Sequence, residues 1–321
     1  MGDAGAAEAF TRAVLRHRAD LRHRLRDMFD ALGFLEVDTP VLSAEVVPEA
    51  HIDPILVRVD GLRGAEAYLQ TSPEAHMKRL LAAGAGPIYQ FARAFRAGER
   101  GSRHDVEFVL LEWYAPGTTL DDSATLVETI CSTALGTVGI ERLDCTEAFR
   151  RHAGVDPLTA TDDEWLAAVL RLGVTVPHGH PPTADDSFEL LLAEAVGPRL
   201  GHQRPTLLEG WPVSQAAFAR LDPTNPQRAL RFELFVRGVE LANGWEEDPC
   251  RDELRRRIDA ANQARVATGR SPLPVPARLL AAHGTAMPRG VGAALGFDRL
   301  AMLAAGATSI DAVRCFTSHD A

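Results

Sequence analysis

The sequence predicts an α+β fold built on an antiparallel sheet. Strand-like runs come in pairs around short turns: residues 54–71, 88–114 and 231–245 each read as a hairpin. Helical patterns lie between these hairpins, without the regular strand–helix alternation of βαβ units. At 321 residues and 46% hydrophobic content, the chain can bury a sizeable core.

Taken in order, the first helical signal is "TRAVLRHRADLRHRLRDMFDALGF". Val14, Leu21, Leu25, Met28 and Leu32 recur at helical spacing, and the pattern should stop near Gly33. "GFLEVDTPVLS" reads as a strand closed by Pro40, and residues 54–71 as a hairpin turning at Gly61 and Gly64. "SPEAHMKRLLAAG" is a short helix with Ser72 as N-cap, Pro73 at the first helical position and Glu74 in the first turn. Strands Ile88–Arg96 and Glu107–Tyr114 follow, joined by a charged loop. Residues 120–139, 162–172, 187–200, 214–221 and 251–268 read as helices, and the polar, proline-rich 174–187 as a surface loop. "GVGAALGFDRLAMLAAG" is a glycine-rich turn into a last helix. A single domain over 1–321 is expected, with 120–225 as a helical and loop insertion.

Composition excludes several functions. The net charge of −10 argues against bulk attraction to nucleic acid or an anionic membrane. Four scattered cysteines without a CxxC pair suit a reducing cytosol rather than a zinc or redox site. No run of about 18 apolar residues predicts a membrane span, and the start lacks the basic and apolar regions of a secretory signal. There is no GxSxG and no GxxxxGK[ST]. The histidines His17, His23, His152, His178, His180, His202 and His283 show no metal-ligand spacing. Lys78 is the only lysine, beside 33 arginines.

The charged loop "FRAGERGSRHDVEF" holds Arg96, Arg100 and Arg103 against Glu99, Asp105 and Glu107, so its formal charge cancels. A nucleic-acid stripe should be net basic. Strand parity places Gln90, Ala92, Ala94 and Arg96 on one face, and Phe108, Leu110, Glu112 and Tyr114 on one face of the next strand. If the two faces coincide, they make a floor running from cation to aromatic to acid. That order suits phosphates, a flat base and an amine. The plain alternative is a half-buried hairpin with ordinary surface charges.

In "ELFVRGVEL" an Arg237-Gly238 turn would set Val236 opposite Val239 and Phe235 opposite Glu240. Glu233 and Glu240 then become diagonal neighbours. A Mg²⁺ bridging phosphates would relieve their repulsion, and two separately solvated glutamates are the alternative. Arg299 in "GAALGFDRL" offers a second cationic arm.

Three segments together resemble class II aminoacyl-tRNA synthetases. "GFLEVDTPVLS" is similar to motif 1, Phe95–Tyr114 to motif 2 and "GAALGFDRL" to motif 3, in the expected order. "TSPEAHMKRLLAAGAGPIYQ" and "VELANGWEE" resemble substrate-pocket segments of the lysyl branch. Motif 1 begins near residue 33, which leaves no room for an anticodon-binding OB-fold. Length and layout resemble the elongation factor P β-lysine ligase family (EpmA, also called PoxA or GenX). That resemblance implies a cytoplasmic ligase, homodimeric through motif 1, with no stable tRNA partner. Such an enzyme activates (R)-β-lysine with ATP and Mg²⁺ and ligates it to a lysine of elongation factor P.

The resemblance further implies roles. Arg96 and Arg299 are the catalytic arginines, on the α- and γ-phosphates. ATP is bound by these two with His104, Asp105, Phe108 (stacking on adenine), Glu240, Leu241 and Gly296. Glu233 and Glu240 hold Mg²⁺. Ser72, Pro73, Glu74, Glu112, Tyr114, Asn243, Glu247 and Ala294 line the amino-acid pocket. This chain departs from the family at several places. Gly98 stands for the usual glutamate, with Glu99 one place later. Asp105 replaces Asn, Val106 replaces Pro and Trp245 replaces Phe. Ala294 stands where lysyl-tRNA synthetases have glycine, and its methyl would crowd an α-amino group. Activation for a different acceptor, or a regulatory paralog without catalysis, are the other outcomes the departures allow.

Overall fold

The structure is a computed structural model that describes residues 2–60, 66–176 and 182–321, with side chains described from residue 11 onward. The chain forms two compact units. The first comprises residues 1–117, 133–135 and 248–321, and the second 118–132 and 136–247.

In chain order, α1 (Gly2–Ala31) leads into β1 (Leu35–Glu36), β2 (Leu42–Ser43), β3 (Ile55–Arg58) and β4 (Glu66–Leu69). After these come α2 (Glu74–Ala82), β5 (Ile88–Phe95) and β6 (Glu107–Pro116). Next are α3 (Leu120–Leu135), β7 (Glu141–Asp144), α4 (Cys145–His152), α5 (Asp162–Arg171), α6 (Ala184–Leu191) and β8 (Thr206–Pro212). The hairpin β9 (Arg228–Val236) and β10 (Val239–Glu246) precedes α7 (Arg251–Ala267), α8 (Ala277–Ala282), β11 (Gly290–Gly296) and α9 (Phe297–Ala304).

In the first unit β1, β5, β6 and β11 lie side by side in that order. The β5–β6–β11 centre is antiparallel, whereas β1 joins β5 in parallel. One face of these strands is packed with aromatic rings. Phe29 of α1 stacks on Tyr89 at 4.6 Å, and Phe297 of α9 meets Phe91 edge-on at 5.4 Å. Val14, Leu21 and Leu25 are buried as their spacing predicts. Leu32 is not: α1 ends at Ala31, Gly33 turns at φ +80°, and Leu32 is 51% exposed. Phe29 fills the core place instead. β3 and β4 pair antiparallel as the expected hairpin, and its Gly61–Gly64 turn lies outside the described residues.

In the second unit the strand order is β10–β9–β8–β7, again antiparallel except for the parallel edge pair β7–β8. Three helices start with reciprocal capping boxes, Thr119–Asp122, Thr161–Glu164 and Thr183–Asp186, each threonine accepting from the third helical N–H. The core stacks Phe149 on Phe188 at 4.4 Å against Trp165 and Trp211. Segment 120–225 therefore carries two strands besides helices and loops. The helix expected at 214–221 is only a 3₁₀ turn, Val213–Gln215. Part of the 174–187 loop, residues 177–181, lies outside the described residues, and α6 begins within it at Ala184.

Candidate active site

The first unit's floor rests on register. Ala94 pairs with Phe108, Ala92 with Leu110, Gln90 with Glu112 and Ile88 with Tyr114. Directly paired residues project to the same side, so the two faces predicted by parity coincide. β11 continues that face with Gly292 opposite Tyr114, Ala294 opposite Glu112 and Gly296 opposite Leu110. Small residues thus flank this face on the β11 side, and Ala94 and Ala92 leave space beside Phe108 and Leu110 on the β5 side.

At one end of the floor stands Arg96. Its guanidinium lies 5.0 Å from the centre of the Phe108 ring and 3.8 Å from the Glu99 carboxylate, and its Nε has no hydrogen-bond partner. Glu99 reaches back because Gly98 takes φ +77°, a left-handed turn that an L side chain would strain. Deeper in, Glu112 is almost wholly buried and accepts from the hydroxyls of Ser72 and Tyr114, each at 2.8 Å. Burial, reinforced by the nearby charge of Glu74, pushes its carboxyl up to about 8. Ser72 also accepts from the N–H of Glu74 at 3.0 Å, but it stands one residue ahead of its expected capping place: the buried Pro73 is the N-cap and α2 starts at Glu74. Glu74 binds Lys78 one turn on, at 2.7 Å, and that lysine is 1% exposed. The sequence alone gives Lys78 no role; its i+4 spacing from Glu74 in one helical run is the signal that pairs them. Glu49 faces the same acids, and burial with Glu74 and Glu99 against the opposing pull of Arg96 lifts it to about 7.

The motif 3 arginine is placed by its neighbour. Asp298 is buried, takes the N–H of Val109 at 2.8 Å and pairs with Arg18 at 2.7 Å. With Asp298 anchored, Arg299 reaches the motif 2 loop. It donates to the carbonyl of Arg103 at 3.1 Å, and its Nη2 lies 2.5 Å from His104 Nε2. Asp105 is turned away from the floor. Its side chain is fully shielded and receives Arg314 at 2.7 Å and the N–H of Ser318 at 3.1 Å, so only its backbone is left for a ligand. An aspartate here brings a charge that has to be neutralised, and the C-terminal segment supplies the cation.

The second unit holds the paired glutamates. The predicted Arg237-Gly238 turn forms with positive φ at both residues, and Glu240 pairs with Phe235. A bulge at Leu241, which is buried, then shifts the register, so that Asn243 rather than Ala242 faces Glu233. Glu233 is buried and Glu240 exposed. Burial and then the charge of Glu240 push Glu233 up to about 8, although Arg231 donates to it at 2.6 Å. Arg231 also binds Asn243 at 3.2 Å and the carbonyl of Gln215 at 2.6 Å, and lies 3.9 Å over Trp211. It was not singled out from sequence, although its place two residues before Glu233 puts both on one strand face. Glu247 is buried at the end of this hairpin. Among the described residues no group of three or more His, Cys, Asp and Glu could hold a metal by itself. Glu233 already has Arg231 as its cation and Glu240 is exposed, yet two carboxylates on one strand face supply the oxygen donors that a hard divalent cation takes beside phosphate oxygens and water.

A family model described as tRNA synthetases class II (D, K and N) matches residues 6–320. Curated relatives named elongation factor P–(R)-β-lysine ligase are similar along nearly the whole chain. The one from Enterobacter sp. (strain 638) is 38% identical over 306 residues, 94% of each chain. That from Edwardsiella ictaluri (strain 93-146) is 39% identical over 308 residues, 95% of each, and that from Vibrio vulnificus (strain YJ016) 39% over 311 residues, 94% of each. The chain belongs to the class II tRNA synthetase family of the D, K and N group.

Proposed function

We propose that this protein is an ATP-dependent ligase that activates (R)-β-lysine and transfers the β-lysyl group to a lysine of elongation factor P. The observation that carries the reading is the order of groups on one face of β5, β6 and β11: Arg96, then Phe108, then Glu112 with Ala294 beside it. The curated relatives with that activity in their names cover 94–95% of the chain.

In the first step the amino-acid carboxylate attacks the α-phosphorus of ATP in line and pyrophosphate leaves. The protein contributes positioning and charge neutralisation. Arg96 holds the α-phosphate and Arg299 the γ-phosphate. Phe108 stacks on adenine, and His104, the Asp105 backbone, Glu240, Leu241 and Gly296 complete the nucleotide contacts. Glu233 and Glu240 would hold Mg²⁺, which would supply charge neutralisation to the phosphates. Ser72, Pro73, Glu74, Glu112, Tyr114, Asn243, Glu247 and Ala294 recognise the diamino acid, their carboxylates taking its ammonium groups. In the second step the acceptor amine, as free base, attacks the acyl carbon and AMP leaves. The enzyme works as a cytoplasmic homodimer joined at motif 1, where Leu35 is 59% exposed, and it holds no tRNA stably. Among the described residues no helix is long and apolar enough to cross a membrane.

ATP–pyrophosphate exchange over a panel of diamino acids, followed by intact-mass measurement of elongation factor P, tests this. Exchange with (R)-β-lysine and a β-lysyl mass gain on the factor are expected. Robust exchange with another amino acid only would reassign the substrate. Calorimetry finding no ATP binding with Mg²⁺ would leave a regulatory paralog.

A further inference from the structure

The motif 2 loop makes little structure of its own. Within residues 100–105 the backbone closes the pair of hydrogen bonds between Gly101 and His104, and Arg100 donates to both of their carbonyls at 3.2 and 3.4 Å. Further anchors come from the far end of the chain. Asp105 receives Arg314 and the Ser318 N–H; Arg100 grips both oxygens of Asp311 at 3.2 and 2.9 Å; the Ser102 carbonyl takes the Ile310 N–H at 2.9 Å. Burial works against the charge of Asp105. The bonds from Ser318 and Val106 and the charge of Arg314 outweigh it and hold the carboxyl below its usual range. The same loop presents His104 and the Arg103 carbonyl to Arg299.

We propose that Arg314 is a positioning residue for the nucleotide: through Asp105 it fixes the motif 2 loop, and the loop fixes His104 and Arg299. Residues 310–318 thereby act as a latch on the ATP side of the site. This rests on the reading of the loop as nucleotide-binding. Without Arg314, the shielded carboxylate keeps only Arg100, at 4.0 Å, as a cationic neighbour. The loop then has reason to leave its place, because an unpaired buried charge costs more than an absent pair.

The test compares Arg314→Ala, Arg314→Lys and the double variant Asp105→Asn/Arg314→Ala in the full chain. Exchange kinetics are measured together with amide hydrogen exchange of residues 98–107. Arg314→Ala should raise KM for ATP at least fivefold, leave KM for the amino acid within twofold, and speed exchange of those amides without ligand. Arg314→Lys should recover part of the loss, and removing the charge at 105 should recover part of it as well. Unchanged KM for ATP with unchanged loop protection would overturn the proposal. So would an equal rise in both KM values, or a double variant no better than Arg314→Ala. A wild-type protein without exchange activity would sink the functional reading alone, since the latch is still judged by the loop amides.

Discussion

Ala294 and Glu112 face each other directly across the β6–β11 pair, so one methyl group borders the buried carboxylate. Removing it opens space on the amine side of the floor. Ala294→Gly is expected to shift selectivity from β-amino toward α-amino substrates. A methyl-sized change of fit is worth about 10-fold or more in kcat/KM. Exchange with (R)-β-lysine and with lysine, measured side by side, reads the ratio, and an unchanged ratio refutes the assignment.

Glu112 gives the pocket a pH dependence. Its carboxyl is raised from 4.5 to about 8, so the free site is mostly protonated there at neutral pH. An incoming ammonium favours the ionised form, so binding releases a proton. KM for the diamino acid should fall as pH rises from about 6.5 toward 8.5, and Glu112→Gln should flatten that profile. Stability runs the other way. A carboxyl whose pKa is raised on folding stabilises the fold fully below its unfolded value, and loses that contribution as pH climbs through the folded value. Glu112→Gln should therefore raise Tm at pH 8 by a few degrees and change it least near pH 4.5, by differential scanning calorimetry.

Arg96 is poised for an anion, with one carboxylate at 3.8 Å and a ring beneath it. Arg96→Ala should lower exchange by about 10²–10³-fold, the usual loss for one charge-stabilising donor. Tm should hold within about a degree, because little of the core depends on this side chain. Arg96→Lys should recover little, since a point charge cannot reproduce the planar fork.

Gly98 stands where the family has glutamate, and its φ of +77° makes the simple reversal costly. Gly98→Glu should lower the exchange rate rather than restore it, with a strain of about 1–2 kcal/mol in the loop. A gain in activity would show that the turn rearranges freely.

Arg231 ties Glu233, Asn243 and Gln215 together over Trp211. Arg231→Met leaves Glu233 buried without its cation, and should cost about 3–5 kcal/mol in urea unfolding. Adding Glu233→Gln should return part of it.

How far the sequence could be read depended on the range of the physics involved. The floor was legible because parity needs only neighbours along a strand, and the pairing of Ala94 with Phe108 and Gln90 with Glu112 follows it. The Arg237-Gly238 turn was legible because two residues set it. The bulge at Leu241 was not, since no turn residue or break in the alternation marks it, and it alone brings Asn243 to Glu233. The ion pair that takes up the Asp105 side chain was not legible for the same reason. The partner of Asp105 lies 209 residues away, and no local pattern announces Arg314. Leu32 fitted the helical stripe, but the helix ends one residue earlier.

Lys78 is the sole lysine in the chain, and it is spent inside the fold on Glu74. A ligase that makes an activated acyl group destined for a lysine amine meets no exposed lysine of its own. It is immune to acylating its own side chains in this way, and every lysine it modifies has to belong to something else.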